Sequence, residues 1–430
     1  MAIVWNRDAA AHLYRRAGFG ATPQELDRAV EQGMEATVAG LIDYEGVDNS
    51  ALEARLAALG PEPTTAIEIL TWWLTRMIFT ARPLEERMTF FLHDHFATGL
   101  RKVQRADWML GQNRLLRKFA LGNFTELTIE VSRDPAMLIW LDNFTSRKQS
   151  PNENFGRELL ELFTLGHGNF TEADVKAATR AFTGWTISRQ TGEFTFIDTF
   201  HDHGQKTFLG QTGNWNGDDI VRFACADPAH APFIAGKVFG WLAWDDPDDS
   251  TIAPFAEAYS ASGNSLRALV EAILRSEAFY SERARWAKVK SPVDFVVSAL
   301  RQLEISRDAT RIAIGILAAQ GQLPFDPPSV EGWPAGIAWL NSGTLLGRMN
   351  FASAASALAD PVRVSASAGA SGSELVAAML DRFGVTAAVD SMPLEAYVSP
   401  GGTDPVGNER TSRVRGLAQL ILSSPEWQLN

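Results

Sequence analysis

Four of the seven histidines in this chain fall in two His-Asp-His triplets, at His93-Asp94-His95 and His201-Asp202-His203. The first sits in FFLHDHFAT (90–98), behind an aromatic and aliphatic run where a half-charged ring is costly to bury. On a regular helix, residues two apart point about 200° from one another, so His93 and His95 chelate one ion only if the helix ends there. The following FATG, with Gly99, reads as such an end. In extended geometry a His-x-His pair puts both rings on one side. The bland alternative is a hydrogen-bonded core histidine followed by a histidine favoured by the helix dipole. The second triplet opens HDHGQKTFLG (201–210), a predicted loop in which His201, Asp202, His203 and Lys206 crowd into six positions. Two His-x-His clips and a carboxylate are ligand types for zinc, manganese or iron. The flat alternative is a solvated polar loop.

Carboxylates come from SPNENFGRELLELFTLGHG (150–168). At 100° per residue Phe155, Leu159, Leu162 and Phe163 form the apolar face, and Glu158 and Glu161 line its flank. Two like charges one turn apart repel unless a metal, lysine or arginine sits between them. Unpaired and buried, one would take up a proton and become a candidate general acid; the alternative is an exposed acidic edge. In FDPPSVEGWPAGIAWLNSGTLLGR (325–348) the prolines and glycines forbid a regular helix. That stiff segment presents Trp333 and Trp339, which could stack on sugar rings or close a pocket, or simply fill the core. Arg348 could supply a polar contact there. Arg15 and Arg16 could reach a carboxylate or phosphate, although a surface ion pair is their expected use. No Gly-x-Ser-x-Gly elbow, phosphate loop, dinucleotide fingerprint or His-Glu-x-x-His occurs.

The elements that must position these groups are mostly helices. Thr22, Pro23 and Glu25 start one that Gly33 should end; Ser150, Pro151 and Glu153 start another, closing at Gly166; Thr171 and Asp174 start a third before Gly184. Segments such as PLEERMTFFLHDHF and APFIAGKVFGWLAW carry apolar residues at helical spacing. Alternation appears chiefly in TGEFTFIDTF, a short strand or hairpin arm beside the helices. The reading is one large, mainly α domain over 1–430 with a small β-hairpin-like excursion near 190–215 and mobile loops at 362–374 and 399–412. LVEAILRSEAFYS (269–281) also echoes LAQLILSSPEWQL (417–429).

A formal charge of −12 with no basic run argues against a nucleic-acid partner. No window is apolar enough to span a membrane, and the first twenty residues hold no signal-peptide core. The single cysteine, Cys225, makes neither an internal disulfide nor a cysteine zinc site and is expected as a small buried filler.

HLYRRAGFGATPQEL, FFLHDHFAT, PNENFGRELLELFTLG, AFTGW, HDHGQKTFLGQTGN and PFDPPSVEGWPAGIAWLNSGTLLGRMNF occur here in that order. In this combination, from about residue 12 to the end, the chain resembles the bacterial DUF1800 family, a domain of unknown function. The resemblance implies a largely helical fold and frequent export, and genes that often neighbour an exported family resembling alkaline phosphatases. It implies no activity. It would place the protein in the periplasm, whereas the missing signal peptide reads as cytoplasmic. The pattern as it stands in this family carries His201, Asp202, Gly204 and Lys206, while the place of His203 varies.

The expectation is therefore a metal-dependent or His/carboxylate acid–base enzyme, a hydrolase, acting on a cell-envelope or polymeric substrate. His93, His95, His201, Asp202 and His203 would bind a divalent metal (zinc, manganese or iron) or shuttle protons. Glu158 or Glu161 would be a ligand or general base, and Lys206 would neutralise oxyanion charge. The alternative is a non-catalytic helical binding or assembly protein working with a phosphatase-like exported partner encoded nearby.

Overall fold

The capping boxes predicted at Thr22–Glu25 and Thr171–Asp174 both form in the computed structural model, which describes residues 3–305, 309–360 and 371–430. Gly33 does not end its helix. It takes φ +83°, kinking a helical run, Pro23–Ile42, that resumes directly after it. Ser150 caps nothing: it is drawn into a bridge with Arg147, and the helix starts instead at Asn154, whose N–H donates to the Asn152 side chain at 2.9 Å. That helix, Asn154–Glu158, continues as a π-helix over Leu159–Thr164.

The architecture is mainly α, with two small antiparallel strand pairs. Trp185–Ile187 pairs with Phe194–Phe196, and Lys206–Phe208 with Gln211–Gly213. The hairpin-like excursion is thus two hairpins. Residues 362–370 of one expected loop lie outside the described residues; Ser371 caps the helix Gly372–Arg382 through Glu374. The other expected loop, 399–412, is half helical, since the helix Gly407–Ser423 already begins inside it. Its buried face, Val414, Leu417, Ala418 and Ile421, anchors the helix, and Glu409 and Arg413 pair one turn apart near its start. The echoing segments behave alike. Ser276 and Ser424 each accept the N–H of an aromatic three residues on, Phe279 and Trp427, both fully buried. Among the described residues no helix is long and apolar enough to cross a membrane. Cys225 is free and buried.

Two large apolar clusters meet on the helix Pro83–His95. Leu84, Met88, Phe91 and Leu92 face one cluster; Phe90 packs into the other with Trp73, Phe325 and Trp333. Only Glu85 and Asp94 of its thirteen residues are not buried. A helix buried all round must satisfy its polar side chains inside the protein. Glu86, with no exposure, accepts from Trp73 Nε1 (2.9 Å), Arg76 Nε (2.9 Å) and Arg117 Nε and Nη2 (both 2.8 Å). Burial alone would raise its carboxyl; the Arg117 and Arg76 guanidiniums outweigh that and hold it below the usual range. Arg87 pairs with Asp294 across the same helix.

Removing one partner of a buried charge cluster strands the others. Glu86→Gln is expected to destabilise the fold by about 3–5 kcal/mol, measured as a lowered urea midpoint at unchanged slope. A change below about 1 kcal/mol would mean that the cluster is dispensable.

Candidate functional site

A cleft of about 1120 Å³ opens between the helix Pro83–His95, the helix His230–Leu242, the turn around Asp245–Asp249 and the segment 331–339. Proline and glycine shape that last segment, as its sequence predicts. Only Gly336–Trp339 forms a short 3-10 turn. Gly332 takes φ +86°, and a Cβ there would overlap the Asp94 carboxylate, so the backbone passes directly over it. The Trp333 N–H then donates to Asp94 Oδ1 at 2.8 Å.

Asp94 lies on the cleft floor. Burial pushes its carboxyl up to about 6, against the pull of the Trp333 N–H and the charge of Lys237. Lys237, which also lines the cleft, is the one charged side chain of its helix. Burial lowers its ammonium from the usual value, and Asp94 opposes this. Among the described residues Lys237 makes no hydrogen bond or ion pair, and its Nζ lies 5.1 Å from the Phe233 ring centre.

His95 owes its state to the π-helix. There the N–H groups of Leu165 and Gly166 both return to the Leu160 carbonyl, and the carbonyls of Phe163 and Thr164 at the helix end are taken by histidines. His95 Nε2 lies 3.1 Å from the Phe163 oxygen and His230 Nδ1 2.8 Å from that of Thr164. A carbonyl only accepts, so His95 carries its proton on Nε2 and presents a lone pair on Nδ1. Nδ1 is buried and has no partner among the described residues. Burial drives the ring's basicity well below normal, so it is neutral.

His93 points elsewhere, as helical geometry requires of residues two apart. Its Nε2 accepts the Phe325 N–H at 3.0 Å, and its ring packs on Trp73, Phe325 and Trp333. Burial lowers its value to about 3. It joins the helix to the 325 turn.

The second triplet does not reach the cleft. His201 Nδ1 bonds the Thr183 carbonyl at 2.8 Å, and exposed His203 sits 3.2 Å from Asp198. Asp202 forms a bidentate pair with Arg180 (2.7 and 3.0 Å), which with the Gly204 N–H holds its carboxyl down at about 2. Buried Lys206 donates to the carbonyls of Asp202 (2.5 Å) and Gly204 (3.1 Å), stapling the loop. These side chains knit a turn together. Among the described residues no group of three or more His, Cys, Asp or Glu is placed to hold a metal ion, so the ligand set expected from the two triplets is not assembled.

Glu161 pairs with exposed His167 at 3.1 Å. Half-buried Glu158 has its carboxyl raised, first by burial and then by Glu161 and by Glu331, a cleft residue, so it stands near the cleft without lining it. Trp333 and Trp339 do line the cleft, although both are largely buried. Arg348 does not. It is buried behind, bonded to Gln320, Gln428 and the Lys290 carbonyl. Arg15 and Arg16 are buried too, which overturns the expected surface ion pair. Apolar spacing predicts the helix that carries Lys237 and Trp241 but does not single out either residue. A lone lysine in such a segment was the available signal.

An aspartate whose value rises from 3.8 to about 6 on folding favours the folded state when protonated. Its contribution is complete below the unfolded value and is lost as pH rises through 6. Asp94→Asn is therefore expected to be more stable than the natural chain at pH 8, on the order of 2 kcal/mol. The gap should close between pH 6 and pH 4 in a series of urea melts; a gap independent of pH would contradict the placement of Asp94.

No curated protein and no solved structure matches the chain. The family described as "Protein of unknown function (DUF1800)" matches residues 12–429, which takes in both triplets, the π-helix and the tryptophan segment over the cleft. The chain belongs to the DUF1800 family.

Proposed function

We propose that the cleft is the active site of an acid–base hydrolase in which Asp94, His95 and Lys237 do the chemistry. One observation carries this reading: a carboxyl poised near 6 faces an unpaired lysine in a large cleft. Such opposed perturbations are typical of working acids and bases. Above pH 6 Asp94 is ionised and takes a proton from water as the water attacks an ester, amide or glycosidic centre. The His95 Nδ1 lone pair accepts the other water proton as a hydrogen bond and orients the nucleophile. Lys237 offsets charge developing on the substrate oxygen. Asp94 then returns its proton to the leaving group, so no net proton is held. The acid–base form of the expectation is preferred to the metal form because these three groups converge on the cleft, whereas the ligands of the second triplet are engaged in their own loop.

The walls favour a polymeric or cell-envelope substrate. Trp241, Trp333 and Trp339 edge the cleft with indole surface, the Nε1 groups of Trp241 and Trp333 being buried and without a partner among the described residues. Such surfaces suit sugar rings, which present an apolar face and a hydroxyl rim.

The purified chain should be incubated with a panel of oligosaccharides, esters and peptide-bridged glycans, with products followed by mass spectrometry. Asp94→Asn and Lys237→Met are each expected to lower kcat/KM by about 10²–10⁴, with activity in the natural chain rising through pH 6. Turnover that survives Asp94→Asn would sink this assignment. A panel without turnover would favour the binding or assembly role.

A further inference from the structure

Behind one wall of the cleft this acidic chain buries more positive charge than it neutralises. Arg87 and Lys288 line the wall, and Arg15, Arg16, Lys290 and Arg348 lie beneath it, linked by mutual electrostatic influence. Three carboxylates answer them. Asp294 pairs with Arg87, Asp245 with Lys288, and Asp8 acts on Arg15. Arg285 adds a further cation beside Arg15.

The remaining basic groups are held by dipoles, and since burial and then Arg15 drive the Lys290 ammonium well below its usual value, the excess positive charge rests on the guanidiniums. Arg15 donates to the Gly384 carbonyl (2.8 Å), and Lys290 to those of Trp427 (2.7 Å) and Leu429 (2.8 Å). Carbonyls satisfy donors but bring no net charge, and a guanidinium does not shed its proton to escape burial. Even these dipoles fall short. Arg16, with no exposure, donates Nη2 to the Ala284 carbonyl at 2.7 Å and leaves Nε and Nη1 without an acceptor. Arg87 leaves Nε unpaired, and Trp241, stacked on it at 4.6 Å, leaves Nε1 unpaired. Orphaned donors and uncompensated charge in one place call for an anion.

We propose that this wall is an oxyanion subsite. A phosphate, sulfate or carboxylate group of the ligand seats against Lys288 and the Arg87–Trp241 stack, in the positive field of Arg16, while the rest of the ligand runs along Trp333 towards Asp94. The subsite stands on the charge imbalance and the orphan donors. That its occupant is the anionic group of a substrate rests on the acid–base reading above.

The test is titration calorimetry of the full chain at constant ionic strength with inorganic phosphate, sulfate and acetate in turn. Saturable binding at one site per chain is expected. Preference for phosphate and sulfate assigns a tetrahedral oxyanion, and preference for acetate assigns a carboxylate. Lys288→Gln should weaken the binding at least tenfold, because it removes a cation at the wall. Asp245→Asn should tighten it severalfold, because it removes a competing carboxylate from exposed surface; a merely structural role would not give this opposed pair. Absence of saturable binding up to tens of millimolar, or affinities unmoved by both substitutions, overturns the proposal. None of these anions is turned over, so the outcome is independent of whether Asp94 is catalytic.

Discussion

A helix buried on nearly every side cannot leave a polar side chain unanswered, and that constraint on Pro83–His95 organises this protein. Glu86 is answered by Trp73, Arg76 and Arg117, Arg87 by Asp294, and His93 by the Phe325 N–H. Each answer ties the helix to a different part of the chain, so the polar groups fix its rotation and register among apolar neighbours that would tolerate several. The answers are incomplete at Glu85 Oε2, Arg87 Nε and His95 Nδ1, which have no partner among the described residues, and above all at Asp94. It receives one backbone N–H and otherwise faces the cleft.

The same economy of partners explains the histidines. A π-helix leaves carbonyls at its end without intrahelical donors, and burial leaves water unable to serve them. His95 and His230 fill that need, and in doing so each is set in one tautomer. For His230 the free nitrogen meets the Tyr259 hydroxyl at 3.0 Å. For His95 it meets no partner among the described residues. Two capping interactions, one through Nε2 and one through Nδ1, therefore have different consequences, decided by what lies on the far side of each ring.

Stability is given up in several places around one cavity. An aspartate with a raised value, an unpaired lysine, an imidazole nitrogen without a donor, and arginines with orphan N–H groups all border the cleft or its wall. Each is unfavourable for folding alone. The large apolar clusters, at about 1.5–3 kcal/mol for each fully buried large side chain, supply the stability against which such groups persist. Unpartnered buried polar atoms also occur elsewhere, at Asn113 and Arg133 for example; those at the cleft differ in lying beside an aspartate of raised value and an unpaired lysine.

Much of this was legible in the residues alone. Helical spacing and capping boxes located the helices at Pro23 and Glu172; proline and glycine marked the irregular stretch after Phe325, although the helix Ser342–Leu358 already begins inside 325–348; alternation marked the first hairpin, whereas the strand Lys206–Phe208 forms within the segment expected as a loop. These are local properties, set by backbone sterics and short-range hydrogen bonds. The first His-Asp-His triplet was also visible, as an oddity within an apolar run. What the residues could not declare was which member of that triplet would matter. A histidine that caps a distant carbonyl and one that waits for a ligand have the same neighbours in sequence. The difference between His93, His95 and the self-contained loop around His201 lies in partners that are far away along the chain. Lys237, Arg16 and Lys288 were equally silent, because burial and net charge are sums over neighbours brought together only by packing. Composition, spacing and motifs make this a mainly helical member of the DUF1800 family; only packing brings Asp94, His95 and Lys237 to one cleft and leaves His93 and the second triplet bonded elsewhere, because solvent exposure and electrostatic surroundings are sums over residues distant along the chain.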